Sequence, residues 1–169
     1  MNKIKFLLCF LTILISKICF AQNGIEYRGA FTLKLTVDSL KFYEQDVSYS
    51  KYFVKDNVLQ IYPGEHLFIE ADVVGNEIKS MKVVKENLNP SKTIELEFHQ
   101  ETNDRNHERM ILKVSNPFDK ELNYDAMMFV VGMSSWMKTS IIPIPPKLMN
   151  FELWNDVIIT LVLDNWRLK

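Results

Sequence analysis

Histidine and methionine side chains are the groups in this sequence that could ligate a metal. The alternation over 94–98 predicts a strand with His99 on its outward face, and His107 follows across a short polar turn. Ligands two residues apart, such as Glu97 and His99, share one strand face, and His107 could approach His99 across a hairpin, so we consider His99 and His107 as one candidate set. Met133 and Met137 are a second candidate set, because thioether sulfur suits Cu(I). The simpler interpretation, which we prefer, is a solvated strand face and apolar gap-filling methionines.

The usual sequence signatures of catalysis are missing. The stretch Gly132–Trp136 lacks the second glycine of a nucleophile elbow. The chain also lacks a His-Glu-x-x-His motif and a glycine-rich phosphate loop. Both cysteines, Cys9 and Cys19, fall in a segment that we expect to be removed, which leaves no thiol nucleophile. We therefore expect no enzymatic activity and no cofactor.

A long apolar segment over residues 129–154 is interrupted by prolines at 143, 145 and 146, which exclude a central strand. Such a segment either wraps an open end of the fold or presents a binding patch. Aromatic residues dominate the energetics of interfaces, so they are the first candidates for such a patch. The candidate binding residues, from this segment and from the aromatic-rich stretch before it, are Trp136, Trp154, Phe151, Ile144, Tyr49 and Tyr52.

Apolar and polar residues alternate with period two through most of the chain, which predicts half-buried strands. Turn dipeptides such as Gly75-Asn76 and Asn103-Asp104 lie between these runs. Only 39–52 and 148–154 are compatible with short helices, so the pattern favours an antiparallel sandwich or a barrel. The predicted strands are 31–37, 67–73, 77–85, 94–98, 110–114, 122–128 and 157–163.

The segment Glu108–Met128 carries the pattern Leu-x-Val-x-Asn, a turn, and then Leu122. This segment resembles the paired B and C strands of immunoglobulin-like domains in exported bacterial proteins, with Asn116 ending the first strand and capping the turn. Together with the C-terminal strand, it is similar to small uncharacterised exported bacterial proteins. The resemblance implies an all-β, antiparallel, immunoglobulin-like β-sandwich of about seven to eight strands without a disulfide. It implies no activity.

Residues 1–21 have the features of a cleavable secretory signal peptide. Two lysines precede the eleven-residue apolar run Phe6–Ser16, which is too short to span a bilayer. Cys19 and Ala21 are small residues suited to cleavage after Ala21. An uncleaved anchor and a lipoprotein acylated on Cys19 are the alternatives. We expect residues 22–169 to form a single domain in the periplasm or outside the cell.

The chain without its signal has a mildly acidic balance of 17 basic against 21 acidic residues. This balance disfavours nucleic acid as a partner. We expect a secreted or periplasmic, non-catalytic binding or accessory domain without a transmembrane span after processing. It would use an aromatic/proline-rich loop or a sheet edge to hold a protein or cell-envelope partner. Two alternatives remain open: a periplasmic Met/His copper carrier, and a periplasmic inhibitor or immunity-type protein.

Overall fold

The computed structural model describes residues 23–169, and the signal segment predicted for residues 1–21 lies outside them. The described chain is built from antiparallel strands, and no helix occurs in this range. The strands are β1 (Gly24–Ile25), β2 (Tyr27–Arg28), β3 (Phe31–Thr36), β4 (Phe42–Val47), β5 (Ser50–Lys51), β6 (Phe53–Lys55), β7 (Val58–Ile61), β8 (Glu65–Val74), β9 (Glu77–Val84), β10 (Thr93–Asn103), β11 (Asn106–Ser115), β12 (Leu122–Val130), β13 (Met137–Thr139), β14 (Met149–Trp154) and β15 (Ile158–Leu168).

Two large antiparallel sheets contain most of these strands. The six-stranded sheet has the order β1-β9-β8-β10-β11-β14, and the five-stranded sheet has the order β13-β12-β15-β7-β6. Two further pairs, β2 with β5 and β3 with β4, complete the strand pairing. The segment from β13 to β14 therefore leads from one end of the five-stranded sheet to one end of the six-stranded sheet.

One hydrophobic core joins the inner faces of the two large sheets. Leu96 and Phe98 of β10 are fully buried, as are Leu161 and Leu163 of β15, and all four belong to the same cluster. Alternation explains this arrangement, because every second side chain of a strand faces the same side. Each fully buried side chain of this kind contributes about 1.5–3 kcal/mol relative to an exposed one.

A smaller core lies where the β3–β4 pair covers part of the molecule. Leu33 and Leu35 of β3 are buried against Val47 and Ile159. The side-chain amide of Gln100 secures the end of β3 because it accepts from the N–H of Thr36 at 2.9 Å and donates to its carbonyl at 2.8 Å. The side chain of Gln100 thereby acts as the hydrogen-bond partner of backbone groups at the end of β3.

A buried arginine ties the N-terminal strands to the two large sheets. The side chain of Arg28 is 2% exposed, and its Nε donates to Oε1 of Glu65 at 2.8 Å. The guanidinium also lies over the rings of Tyr52 and Tyr62, at 4.6 and 5.0 Å from their centroids. The planar group is thus paired, hydrogen-bonded and stacked, which is the condition for holding a charge away from water.

The all-β prediction is confirmed, and each of the seven predicted strands overlaps an observed one. The expected number of about seven to eight strands was too low, because six of the observed strands have four residues or fewer and show no measurable period. The helical interpretation of 39–52 and 148–154 was wrong: the first contains β4 and β5, and the second is β14 with its preceding residue. The backbone of β14 is instead hydrogen-bonded on one side, in a ladder to β11.

The segment resembling immunoglobulin strands B and C corresponds to β11, a turn and β12. These two strands are not hydrogen-bonded to each other, because β11 lies in the six-stranded sheet and β12 in the five-stranded sheet. Asn116 does occupy the turn between them, and its Oδ1 accepts from the N–H of Phe118 at 2.9 Å. The connection therefore crosses from one sheet to the other rather than closing a hairpin.

Candidate functional site

Strand β14 forms one edge of the six-stranded sheet. Its six residues pair with β11 from Met149 opposite Ser115 to Trp154 opposite Met110. Among residues 23–169, no strand pairs with its other side. The other three ends of the two large sheets are strands of only two or three residues, namely β1, β6 and β13. Since short edge strands offer little template for pairing, β14 is, of the four ends of the two large sheets, the one best suited to receive another strand.

The orientation of the backbone groups of β14 follows from its pairing with β11. The carbonyl of Leu148 accepts from the N–H of Asn116 at 2.8 Å. In an antiparallel pair every second residue directs its N–H and C=O toward the neighbouring strand, so the even-numbered positions of β14 face β11. The N–H and C=O groups of Met149, Phe151 and Leu153 therefore point toward the free side. No protein partner for them occurs there within the described part of the chain.

The same three residues form an exposed apolar row on the outer face of the sheet. Met149, Phe151 and Leu153 are 54%, 51% and 54% exposed. Side chains two residues apart on one strand face are separated by about 6.6–6.8 Å, so the row extends for about 13 Å along the edge. We call Met149, Phe151 and Leu153 the edge row. An apolar row beside unpaired backbone groups is the combination that strand addition uses.

Charged residues border the edge row on the outer face of the sheet. Lys113 of β11 lies directly opposite Phe151, and its Nζ is 3.9 Å from Oε2 of Glu97 on β10. Further along β10, Oε1 of Glu95 lies 2.8 Å from Nε2 of His66. Interfaces commonly combine an apolar centre with a polar rim, and this face has the same arrangement on one side of the row.

The segment 140–148, which leads into β14, is held in place by a buried asparagine. Nδ2 of Asn116 lies within hydrogen-bond distance of the carbonyls of Lys120, Ile144 and Pro145, at 2.7, 2.9 and 3.0 Å. Ile144 also exchanges two backbone hydrogen bonds with Leu122, both at 2.9 Å. The proline-containing segment is therefore pinned at its centre, and this fixes where β14 begins.

Two inward-facing side chains of β14 complete the attachment of this segment. Oε1 of Glu152 accepts from the N–H of Ile142 at 2.8 Å and from Nδ2 of Asn150 at 2.9 Å. Nε1 of Trp154 donates to Oγ1 of Thr139 at 2.8 Å. Burial raises the pKa of Glu152 above its ordinary value, although the hydrogen bond from Ile142 opposes the shift. A hydrogen-bonded acid thus faces inward on an edge whose outer side is apolar.

The sequence-predicted binding residues occupy different places. Phe151 and Trp154 lie together on β14, with Phe151 exposed and Trp154 half-buried. Ile144 is fully buried in the main core and so cannot touch a partner. Trp136 is 40% exposed and packs at a tilt against Phe129, with ring centroids 5.4 Å apart. The segment 129–154 therefore both wraps the core and presents apolar surface.

The two tyrosines predicted as binding residues belong to the N-terminal part of the fold, not to β14. Tyr49 is exposed and stacks on Tyr27, with centroids 5.0 Å apart and planes nearly parallel. Tyr52 is half-buried beneath the Arg28 guanidinium. Tyr49 is available to solvent, whereas Tyr52 is committed to the buried ion pair.

The structure does not bring the candidate metal ligands together. The two-residue turn Asp104-Arg105 pairs Asn103 with Asn106 and places His107 opposite Thr102, so His107 and His99 lie on opposite faces of the hairpin. Both ring nitrogens of His107 are occupied, by Gln100 at 2.9 Å and the carbonyl of Asn155 at 3.0 Å. No group of three or more His, Cys, Asp or Glu side chains suited to a metal ion occurs among residues 23–169. Met133 is exposed and Met137 is half-buried against the core.

An open cleft of about 450 Å³ lies beside β12 and β15 and is lined mainly by polar residues. Oδ1 of Asp125 in this cleft accepts from Arg167 at 2.9 Å, and its Oδ2 accepts from Asn165 at 2.7 Å. These hydrogen bonds, first from Asn165 and then from Arg167, lower the pKa of Asp125 below its ordinary value. Both oxygens of this carboxylate are therefore engaged by side chains of the chain itself.

Met149 and Leu153 are the site residues that the sequence interpretation missed. Their signal was present, since Met149, Phe151 and Leu153 alternate with Asn150 and Glu152. In a stretch of six residues next to three prolines, this alternation was outweighed by the possibility of a helical turn.

Comparisons with protein-family models, with curated proteins and with solved structures found no match to this chain. Among residues 23–169, no helix has the length and apolar character needed to cross a membrane.

Proposed function

We propose that this chain is an exported, non-catalytic binding domain that receives an extended protein segment as an added strand along β14. The observation that carries the proposal is the edge row: three apolar side chains, each about half exposed, beside backbone N–H and C=O groups that have no partner in residues 23–169. Export to the periplasm or the medium is supported by the signal-like pattern of residues 1–21.

Strand addition divides affinity and selectivity between two kinds of contact. The backbone groups of Met149, Phe151 and Leu153 would supply hydrogen bonds whatever the sequence of the partner. The edge row would select a partner segment with apolar residues at alternate positions. Covering the exposed half of each side chain contributes about 1 kcal/mol, on the order of half the value for full burial.

We also infer an immunoglobulin-like arrangement of the two large sheets. This inference is supported by the turn containing Asn116, from which β11 and β12 continue into different sheets. In immunoglobulin domains, strands B and C likewise belong to different sheets. A solved structure of a relative with the same strand order and this fold would support the assignment, and a closed barrel would contradict it.

The binding proposal can be tested with a library of extended peptides that have apolar residues at alternate positions. We expect selected peptides to slow hydrogen exchange at the amides of Met149, Phe151 and Leu153. Phe151→Lys should abolish binding because it places a charge in the middle of the edge row. Phe42→Lys is the matched control, since Phe42 on β4 is also half exposed, at 52%.

A proline variant separates the backbone contribution from that of the side chain. Leu153→Pro removes an N–H that points to the free side and leaves the ladder to β11 intact, which edge strands tolerate. Leu153→Ala removes the side chain only. We expect the proline variant to bind more weakly than the alanine variant; equal binding, or peptides that protect amides elsewhere, would contradict strand addition at β14.

A further inference from the structure

We infer that β14 pairs with β14 of a second copy of this chain, antiparallel and about a two-fold axis at Phe151. The inference rests on the proposed function, because it names the segment that the edge receives. The result would be a dimer whose two six-stranded sheets join edge to edge.

The backbone of β14 permits this pairing only in registers that place odd-numbered residues of one copy opposite odd-numbered residues of the other. With the axis at Phe151, that residue faces its own symmetry mate, and Met149 faces Leu153 of the other copy. All three residues direct their N–H and C=O groups to the free side, so each facing pair is a hydrogen-bonded pair of an antiparallel ladder. The three pairs provide six hydrogen bonds, and the ladder between β14 and β11 remains unchanged.

The side chains favour the same register. Placing the axis at Phe151 brings the edge row of one copy beside the complete edge row of the other, with Phe151 against Phe151 at the centre. Moving the axis to Asn150 or Glu152 still places odd-numbered residues opposite each other. It leaves one apolar residue at each end of the shared ladder without a residue of the edge row opposite it. Aromatic and aliphatic cross-strand pairs stabilise such ladders, so the fully overlapped register is preferred.

The inward-facing residues exclude one competing register. With the axis at Phe151, Glu152 of each copy lies opposite Asn150 of the other, so a carboxylate meets an amide. With the axis at Glu152, two carboxylates would lie directly opposite each other at the edge of the core, which is destabilising. Glu152 therefore acts against that register while it holds Ile142 within its own chain.

The two-fold arrangement also limits assembly to two copies. A two-fold interface uses the same surface on both copies and leaves no equivalent edge free. The remaining ends of the large sheets described here are β1, β6 and β13, which have only two or three residues. Continued edge-to-edge growth of the two large sheets would need a longer strand than these ends provide.

Cysteine cross-linking tests the register, because residues 22–169 contain no native cysteine. In the processed chain, Phe151→Cys should form a disulfide between two copies under mild oxidation. Met149→Cys alone and Leu153→Cys alone should not, whereas a mixture of these two variants should form the mixed disulfide. Equal cross-linking of all three single variants, or self-linking of Met149→Cys only, would overturn the register.

The mass in solution tests the dimer itself by sedimentation equilibrium over a range of concentrations. We expect a monomer–dimer equilibrium that Phe151→Lys weakens by about 30-fold or more, the scale of a central interface residue. Phe42→Lys should leave the equilibrium unchanged, and urea unfolding of both variants should show that they are folded. Phe151→Ser serves as a second variant that removes the aromatic ring without adding charge.

The outcomes separate this inference from the proposed function. A chain that stays monomeric at all concentrations, yet binds library peptides along β14, overturns the dimer and leaves the binding proposal intact. A chain that does neither overturns both. Open-ended oligomers would also overturn the two-fold dimer, because they require an edge other than a shared β14.

Discussion

Asn116 is the residue on which the position of the segment 140–148 depends most directly. Asn116 is buried, at 3% exposure. Its Nδ2 lies within hydrogen-bond distance of three carbonyl oxygens, and its Oδ1 accepts from the N–H of Phe118. Two of those carbonyls have a second donor, since Ile144 also accepts from Leu122 and Pro145 from Leu148. Truncation by Asn116→Ala therefore leaves mainly the carbonyl of Lys120 and the N–H of Phe118 without a partner.

The expected cost of Asn116→Ala follows from this count. A buried polar group without a partner costs about 1–3 kcal/mol, so two such groups lower the free energy of unfolding by about 3 kcal/mol. Asn123→Ala is the matched control, because Asn123 is also buried but its amide donates only to Glu121, at 2.9 Å. We expect the control to lose about 1 kcal/mol or less.

Urea unfolding followed by tryptophan fluorescence measures both losses, with unchanged slopes as the sign that the same transition is compared. Asn116→Asp provides a further test, because it replaces the donating NH₂ with a carboxylate that faces carbonyl oxygens. At neutral pH it should be less stable than the alanine variant, and it should recover as the pH falls and the acid gains a donating O–H. Equal losses at Asn116 and Asn123 would refute the role assigned to Asn116.

Three further predictions concern stability. Arg28→Met should lower the free energy of unfolding by about 3 kcal/mol because it leaves the mostly buried Glu65 carboxylate without its cation, and adding Glu65→Gln should restore part of this loss. A double variant no more stable than the single one in urea would contradict that explanation. Arg105→Gly should raise the free energy of unfolding by about 0.5–1 kcal/mol because Arg105 has a φ of 67° in a two-residue hairpin turn, and thermal unfolding measures the gain. Glu152→Gln should be more stable than the native chain at neutral pH, because burial raises the pKa of Glu152 above 4.5 and the ionised form is costly in the folded state. The native chain therefore loses stability as the pH rises from 4.5 through the folded-state pKa, so the two urea midpoints should converge as the pH falls below 4.5; a difference independent of pH would contradict the assignment.

The local sequence pattern was sufficient to predict most of the strands and the direction in which their side chains point. Ile94, Leu96 and Phe98 alternate with polar residues, and all three are fully buried. Gly75 was expected in a turn and has a φ of 64° between β8 and β9. Such features depend on side-chain alternation and on local backbone sterics, which neighbouring residues determine.

The sequence pattern was insufficient to predict features that depend on a partner distant in the sequence. Arginine is rarely buried, and Arg28 is buried because Glu65, 37 positions later, provides the opposite charge. His99 and His107 are close in sequence, but the length of the turn between them places them on opposite faces. Neither result follows from composition or from period.

The candidate site illustrates the same division. The sequence by itself determined that Met149, Phe151 and Leu153 share one face if they form a strand, and that Asn150 and Glu152 share the other. Only the tertiary structure decided that this stretch is a strand, that it pairs with β11, and that its other side lies at the end of a sheet. Alternation is a property of one strand, whereas an edge exists only relative to all the strands that pair elsewhere, and that choice depends on contacts between residues far apart in the chain.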